Sequence, residues 1–187
     1  MAQEVLNILR QGHYAFEGQE VELPDLTVLA ESTVVFGPAD EPRLLELLAS
    51  RRNSFQTAIT VTDEDTFSAS RRLQAQDGRV AALNFANATS PGGGFLRGAS
   101  AQEEDLCRCS ALYHSLTSEA AERYYIENER EFSYLFTDHL IFSPDVPVFR
   151  DRTQGFLPQP LPVSVITAPA PYVCGMKDEE DESLLMA

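Results

Sequence analysis

The chain has 187 residues, 43% of them hydrophobic and 23% charged, and a formal net charge of −15. This length and composition suit a soluble domain with a hydrophobic core, and the negative charge excludes general electrostatic attraction to DNA, RNA or anionic lipid. No apolar run is long enough to cross a bilayer, and the first 21 residues lack the pattern of a signal peptide, so we expect a cytoplasmic location.

The first third of the chain predicts two helices and one strand. Residues 2–11 have helical spacing, with Val5 and Ile8 among the residues that share an apolar face. Val34–Phe36 is typical of a brief strand, and leucines at helical spacing predict a helix over 41–51.

The middle of the chain alternates between strand and helix patterns. The β-branched run TAITVT, residues 57–62, predicts a strand, and a helix capped by Thr62 or Asp63 is expected to run to about residue 76. The apolar run 79–86 is typical of a strand buried on both faces. A loop follows, and then a helix over about 101–116. This alternation favours an α/β sandwich.

The last third supplies two further strand patterns. In residues 138–151 we expect a strand to Phe142, then a turn and a short edge segment, because Pro144 and Pro147 disfavour a regular central strand. Residues 161–172 predict another buried strand. We therefore expect one domain over residues 1–172 and an acidic tail over 173–187.

Three glycines, Gly92–Gly94, stand between the strand over 79–86 and the next helix. Glycine backbones can adopt positive φ and can approach a ligand without a side chain in the way. The start of the next helix adds free N–H donors and partial positive charge. The segment is consistent with a cradle for a phosphate or ribose, or with a simple flexible turn.

Two adjacent carboxylates, Glu103 and Glu104, begin that helix. Ser100 and Glu103 fit the spacing of a capping box, which would give Glu103 a structural role. Glu104 then has no capping role and is the better candidate for chemistry, although a solvated surface charge is the plainer alternative.

The three cysteines, Cys107, Cys109 and Cys174, suit free thiols better than a disulfide framework or zinc site. His13, His114 and His139 show no spacing typical of metal ligands, so we expect no metal and no cofactor. The aromatic pair Tyr124 and Tyr125 is expected in the core.

The triple glycine, seven residues and then Gln102-Glu103-Glu104 resemble the GGG-x(6–8)-QEE signature of poly(ADP-ribose) glycohydrolases. The stretches LNFANATSPGGGFLRGASAQEEDLCRCSALY, HLIFSPDVPVFRD and VITAPAP resemble the bacterial-type branch, from about residue 57 to 171. The resemblance implies a macrodomain-like, three-layer α/β/α sandwich with a mixed, mostly parallel sheet. The chain reads as lacking the C-terminal part of that fold, including a second glycine loop.

The resemblance also implies a substrate and site residues. The substrate is poly(ADP-ribose), or its terminal ADP-ribose, and the reaction is hydrolysis of the ribose–ribose O-glycosidic bond. Glu104 inherits the catalytic role and Glu103 holds the neighbouring ribose. The substrate-binding residues are expected to be Asn87, Gly92, Gly93, Gly94, Gln102 and Phe95, although Phe95 could instead pack beneath the loop.

Glu104 must begin the reaction protonated, whereas a helix N-terminus favours a carboxylate. We therefore expect Glu104 to act as an acid only with ligand bound. Two alternatives remain open at the level of sequence: a macrodomain that binds ADP-ribose without cleaving it, and an inactive truncated fragment. An incomplete sheet would also expose a strand edge, which favours self-association.

Overall fold

The computed structural model of the protein describes residues 1–50, 56–131, 134–151, 153 and 155–172. The predicted acidic tail and Cys174 lie outside these residues. The α-helices of the described chain are α1 (Ala2–Gln11), α2 (Leu26–Ser32), α3 (Glu41–Ser50), α4 (Thr66–Asp77), α5 (Gln102–Cys109), α6 (Leu112–Leu116) and α7 (Glu122–Arg130). Its β-strands are β1 (His13–Phe16), β2 (Gln19–Glu22), β3 (Val34–Phe36), β4 (Ala81–Ala86), β5 (Leu140–Arg150) and β6 (Phe156–Pro169).

The main sheet has the strand order β3-β5-β6-β4, and β1 and β2 form a separate antiparallel hairpin. Strand β6 pairs in parallel with β4 and antiparallel with β5, and β3 is antiparallel to β5. The predicted mixed sheet is confirmed, but mostly parallel pairing is wrong for the described strands. The reason is the short connection from Arg150 to Phe156, which allows a hairpin but not a parallel crossover.

One hydrophobic cluster joins α1 and α2 to the sheet and to the helices that follow β4. Val163 and Val165 of β6 and Ile141 of β5 are fully buried in it. Helices α5 and α6 both contact β5, and α5 also contacts β4. The sheet and its helical cover thus place the N-terminus of α5 beside the end of β4. No helix in the described part of the chain is long and apolar enough to span a membrane.

The helix and strand expected near the N-terminus are present as α1 and β3, and α3 ends at Ser50. Helix α4 begins later than predicted, because Asp65 is its N-cap and accepts hydrogen bonds from the N–H groups of Phe67 and Ser68. The helix ends at Gly78, whose φ is +80°.

Residues 57–62 were expected to form a strand, and that prediction is wrong. The segment forms no strand, and Ile59 and Val61 are 89% and 94% exposed. Strand β4 was expected to be buried on both faces, but Leu83 and Phe85 are 44% and 61% exposed. Both segments have the composition of a buried strand. Their apolar side chains are exposed because no layer of the described chain packs against them.

After Phe142 the proline-containing segment was expected to turn and form a short edge segment, but Leu140–Arg150 is one long internal strand, β5. The strand accommodates Pro144 by shifting register between Ser143 and Val146, with Asp145 at a φ of +46°. A bulge of this kind leaves residues unpaired, so the missing N–H of a proline costs little there.

The single helix predicted over 101–116 is interrupted. Helix α5 ends at Cys109, and Ser110 forms an isolated antiparallel bridge with Val148 of β5. The Ser110 hydroxyl donates to the carbonyl of Leu106, and the N–H of Ala111 donates to the carbonyl of Pro147. These bonds fasten the end of α5 to the sheet before α6 begins.

Candidate active site

The glycine loop is a tight turn that requires glycine. Gly92 and Gly93 have φ values of +67° and +55°, in the left-handed region that residues with a Cβ rarely adopt. The loop is closed by hydrogen bonds from Gly93 N to Ser90 O and from Phe95 N to Gly92 O, both 2.9 Å. This shape presents the loop backbone to the start of α5.

Glu104 joins the loop to the helix. Its Oε1 accepts a hydrogen bond of 2.7 Å from Gly94 N, and its Oε2 accepts one of 3.1 Å from Ala101 N. The residue is only 7% exposed. The predicted capping box was displaced by one residue, because Ala101 is the N-cap of α5 and Glu104, not Glu103, bonds back to it. Glu104 therefore combines a capping bond with its place beside the glycines.

Glu103 is more deeply buried, at 3% exposure. Its Oε2 accepts a hydrogen bond of 2.8 Å from Asn87 N, and its Oε1 lies 3.5 Å from Asn84 Nδ2. Burial raises the pKa of the Glu103 carboxyl to about 7. The nearby charge of Glu104 also raises this pKa, whereas the hydrogen bonds from Asn87 and Asn84 lower it. Near neutral pH the site thus contains a carboxyl that can hold a proton.

Both carboxylates meet at Gly93. A Cβ on Gly93 would lie 2.6 Å from Glu104 Oε1 and 3.0 Å from Glu103 Oε2. The absence of a side chain at this position is what allows the loop to lie over both acids. The arrangement brings Glu104 and the glycine loop into direct contact.

Gln102 holds the start of α5 against β4. Its Oε1 accepts a hydrogen bond of 2.8 Å from Phe85 N, and its Nε2 donates one of 2.8 Å to Leu83 O. The amide therefore pairs with the outer edge of β4 as a neighbouring strand would. Both ends of the amide are thus occupied by backbone groups of β4. Ligand binding by Gln102 stays a prediction.

The remaining predicted binding residues differ in exposure. Asn87 is exposed, and its Oδ1 accepts hydrogen bonds from Thr89 N and Ser90 N, which shapes the entry into the loop. Phe95 is 1% exposed and packs against Tyr113 with ring centroids 5.0 Å apart. Phe95 is therefore corrected from a sugar contact to a core residue beneath the loop.

Sequence reasoning missed Asn84 as a contributor to the site. Asn84 and its partner Thr167 on β6 are both 0% exposed, and Asn84 Nδ2 donates to Thr167 Oγ1 over 3.2 Å. The available signal was a polar residue inside the apolar run of β4. Tyr124 and Tyr125 are buried as predicted. Burial raises the pKa of both phenols, and the Glu103 charge adds to the rise.

A hollow of about 510 Å³ lies beside the start of α5. Ala101 and Gln102 border it, together with the acidic residues Asp63, Asp65 and Asp105, but its lining includes neither Glu103 nor Glu104. The negative lining disfavours a phosphate there. The carboxylate pair, not this larger hollow, therefore remains the candidate active site.

The hairpin contains a histidine–carboxylate cluster that the sequence spacing did not reveal. The potential ligand atoms of His13, Glu20 and Glu22 lie within 4.8 Å of one another. Both glutamates are exposed, and His13 Nε2 is 3.3 Å from Glu20 Oε2. We assign no metal to this cluster, because a surface pairing of these residues accounts for it.

The fold and the site together define a macrodomain-like α/β protein with two carboxylates beneath a glycine loop. A family model described as "Microbial-type PARG, catalytic domain" matches residues 2–151. The chain therefore belongs to the family of microbial-type PARG catalytic domains, PARG being poly(ADP-ribose) glycohydrolase. The family predicted from the glycine and QEE signature is confirmed.

Solved structures of bacterial PARGs resemble the chain closely. PARG from Deinococcus radiodurans in complex with ADP-ribose is 51% identical, with a TM-score of 0.78 over 89% of this chain and 65% of that one. PARG from Thermomonospora curvata is 41% identical, with a TM-score of 0.88 over 98% of this chain and 69% of that one. The T. curvata enzyme bound to the inhibitor ADP-HPD gives 41% identity and a TM-score of 0.84, over 98% of this chain and 68% of that one. The chain spans just under two thirds of the length of the D. radiodurans protein. Comparison with curated protein sequences gives no match.

Proposed function

We propose that the protein hydrolyses ribose–ribose O-glycosidic bonds in poly(ADP-ribose) and releases ADP-ribose. The observation that carries this proposal is the contact of Glu104 Oε1 with Gly94 N at 2.7 Å, within a loop that requires glycine. A module that only binds ADP-ribose needs no acid at this position. Family membership and the ADP-ribose complex of the D. radiodurans protein support the choice of substrate.

Glu104 serves as the general acid and base. Its carboxyl proton passes to the leaving ribose oxygen while the bond from that oxygen to the anomeric carbon breaks, through an oxocarbenium-like transition state. The Glu104 carboxylate then takes a proton from water, and the water oxygen bonds to the anomeric carbon. In the ligand-free site Glu104 accepts hydrogen bonds from two backbone N–H groups. Its action as an acid is proposed to require bound substrate.

The neighbouring residues position the sugar. Glu103 accepts hydrogen bonds from the ribose hydroxyls, and Asn87 faces the ribose from the end of β4. Gly92, Gly93 and Gly94 follow the ribose and diphosphate with their backbone. Exclusion of water from this buried pair strengthens each of these interactions.

The test compares wild type with Glu104→Gln on poly(ADP-ribose), with released ADP-ribose measured over time. The glutamine keeps the size of the side chain but can neither donate an acidic proton nor accept one from water. We expect release to fall by a factor on the order of 100 to 10,000, as for loss of a general acid–base group. Glu46→Gln, an exposed change on α3, is the matched control and should leave release unchanged.

Three other outcomes of this assay would contradict the proposal. Tight binding of the polymer without release by the wild type would indicate a binding module. Neither binding nor release would indicate an inactive fragment. Equal release by the wild type and Glu104→Gln would contradict the role of Glu104.

Three further expectations remain proposals. We propose that residues 1–172 form one domain, as their single hydrophobic cluster supports. A cytoplasmic location is supported by the buried free thiols of Cys107 and Cys109, which suit a reducing compartment. Self-association is proposed to involve an unpaired sheet edge. The edge strand β4, which carries the exposed side chains of Leu83 and Phe85, is the candidate.

A further inference from the structure

Asn84 is a buried amide whose hydrogen-bonding capacity is only half used. Its Nδ2 lies 3.5 Å from Glu103 Oε1 and 3.2 Å from Thr167 Oγ1. Its Oδ1 is buried and has no hydrogen-bond partner. A fully buried carbonyl without a partner is uncommon in folded proteins and calls for an explanation.

The contacts of Glu103 suit its ionised form. Asn84 Nδ2 and Asn87 N both donate to its oxygens, and Gly92 N is a further donor. A protonated carboxyl has an O–H that needs an acceptor. The backbone N–H groups of Asn87 and Gly92 cannot accept that proton. The Asn84 amide can, because a rotation of 180° exchanges Nδ2 and Oδ1 within the same volume and turns Oδ1 toward Glu103.

Thr167 fits both orientations of the amide. Its hydroxyl accepts from Asn84 Nδ2 in the orientation observed, and the same hydroxyl can donate once Oδ1 takes that place. The register of the parallel strands sets Asn84 directly beside Thr167. In either orientation one end of the amide, Oδ1 or Nδ2, has no partner. The hydrogen bonds with Glu103 and Thr167 therefore determine which orientation is preferred.

We propose that Asn84 is a positioning residue whose side-chain amide reverses when Glu103 gains or loses a proton. With Glu103 ionised, Nδ2 donates to Glu103 and to Thr167. With Glu103 protonated, Oδ1 accepts the Glu103 O–H and the Thr167 O–H, and no atom other than the titrating proton enters or leaves. Reversal of the Asn84 amide lets the buried Glu103 carboxyl hold a proton beside Glu104 without contact with water. The importance of this proton for catalysis rests on the proposed function.

The ionisable groups that interact electrostatically with Glu103 are Glu104, Cys107, Tyr124 and Tyr125. Cys107 on α5 and Tyr124 and Tyr125 on α7 feel the Glu103 charge, and burial raises the pKa of each, which keeps them neutral between pH 5 and 9. The Glu103 pKa, which burial raises to about 7, lies inside this range.

The experiment is an NMR titration of the ligand-free protein from pH 5 to 9. It follows the Glu103 carboxyl carbon and the NOE between the Asn84 side-chain NH2 and Thr167. We expect the NOE at high pH and its loss at low pH, with the same midpoint as Glu103. An NOE that stays constant while Glu103 titrates overturns the proposal, and so does a Glu103 that never titrates.

Two variants sharpen the result. Glu103→Gln presents a neutral amide, which can donate to Asn84 Oδ1, so the NOE should be weak at every pH. Glu104→Gln keeps Glu103 and should retain a pH-dependent NOE with a lower midpoint. Because no substrate is present, loss of the reversal and failure of ADP-ribose release are separate outcomes, and the wild-type titration decides the proposal even if a variant does not fold.

Discussion

Gly93 is the residue on which both acids converge, so a single methyl group there should separate them. In Gly93→Ala the new Cβ would meet Glu104 Oε1 at 2.6 Å and Glu103 Oε2 at 3.0 Å. We expect ADP-ribose release to fall on the order of 100-fold, the scale associated with a catalytic group misplaced by about 1 Å. Steady-state release from poly(ADP-ribose) measures the effect.

Gly98→Ala provides the control for backbone strain. Gly98 also has a positive φ, +80°, but a Cβ there meets nothing within 4 Å. The left-handed backbone alone should cost each variant roughly 1–2 kcal/mol of stability. If Gly98→Ala reduces release as much as Gly93→Ala, strain and not displacement of the acids explains the loss.

Glu103 should make stability depend on pH in the direction opposite to most carboxylates. Its pKa is raised from 4.5 to about 7 on folding, so the folded state binds the proton more tightly than the unfolded state. This contribution is fully present below about pH 4.5 and is lost as the pH rises through about 7. The loss amounts to ~3 kcal/mol at most by linkage.

Urea denaturation of wild type and Glu103→Gln at pH 5 and pH 8 tests this expectation. The wild type should lose more unfolding free energy between the two values than the variant, in which position 103 does not titrate. The lowered pKa values of Asp25 and Glu64 do not interfere, because their effect lies at lower pH. Parallel slopes for the two proteins would contradict the buried-acid interpretation.

The sequence predicted the residue types of the site better than their roles. The glycine and QEE signature predicted that Glu104 would lie beside the loop, and the structure places it there. Its capping bond was assigned one residue too early, because Ser100 has the side chain of a cap and Ala101 does not. Asn84 was missed because its importance comes from Thr167 on another strand, and a strand pairing is not visible in one sequence.

At the scale of elements, Gln102 bonds to the edge of β4 that no strand of the described residues occupies. Gln102→Leu removes the bonds to Phe85 N and Leu83 O, which solvent can only partly replace. We expect the unfolding free energy to fall by about 1 kcal/mol, and the Phe85 amide to exchange its hydrogen faster. Urea denaturation and hydrogen exchange measure the two effects.

Gln76→Leu is the matched control, since Gln76 is exposed on α4. It should change neither stability nor exchange at Phe85. If Gln102→Leu leaves the Phe85 amide protected, the amide bond to the strand edge is not what secures β4.

The elements themselves were predictable where local pattern and tertiary partner agree. Helix α1 and strand β3 follow from apolar spacing, and both are present. Residues 57–62 have strand composition without a partner strand, so β propensity alone does not produce pairing. The proline-containing β5 is the converse case, because a bulge and two neighbouring strands outweigh an unfavourable local sequence.

At the scale of the whole molecule, charge and exposed apolar surface act against each other. The net charge of −15 opposes contact between copies, whereas Leu83 and Phe85 favour it. We expect association to increase with salt, because ions screen the repulsion within about 10 Å at 0.1 M. Sedimentation velocity at low and high salt measures the change.

Phe85→Ser should keep the protein monomeric at high salt, since the 61% exposed ring is the larger apolar side chain on that face. Leu48→Ser, on the 66% exposed Leu48 of α3, is the control and should leave association unchanged. Equal behaviour of both variants would place the contact elsewhere.

The bridge between Ser110 and Val148 limits how the site can respond to a long polymer. Helix α5 is tied to the sheet at its far end by this bridge and to the loop at its near end by Glu104. Helix α5 is held at both ends, so it cannot tilt to admit a polymer without breaking one of these contacts. Any movement that admits the proposed polymer is therefore expected in the glycine turn and not in α5.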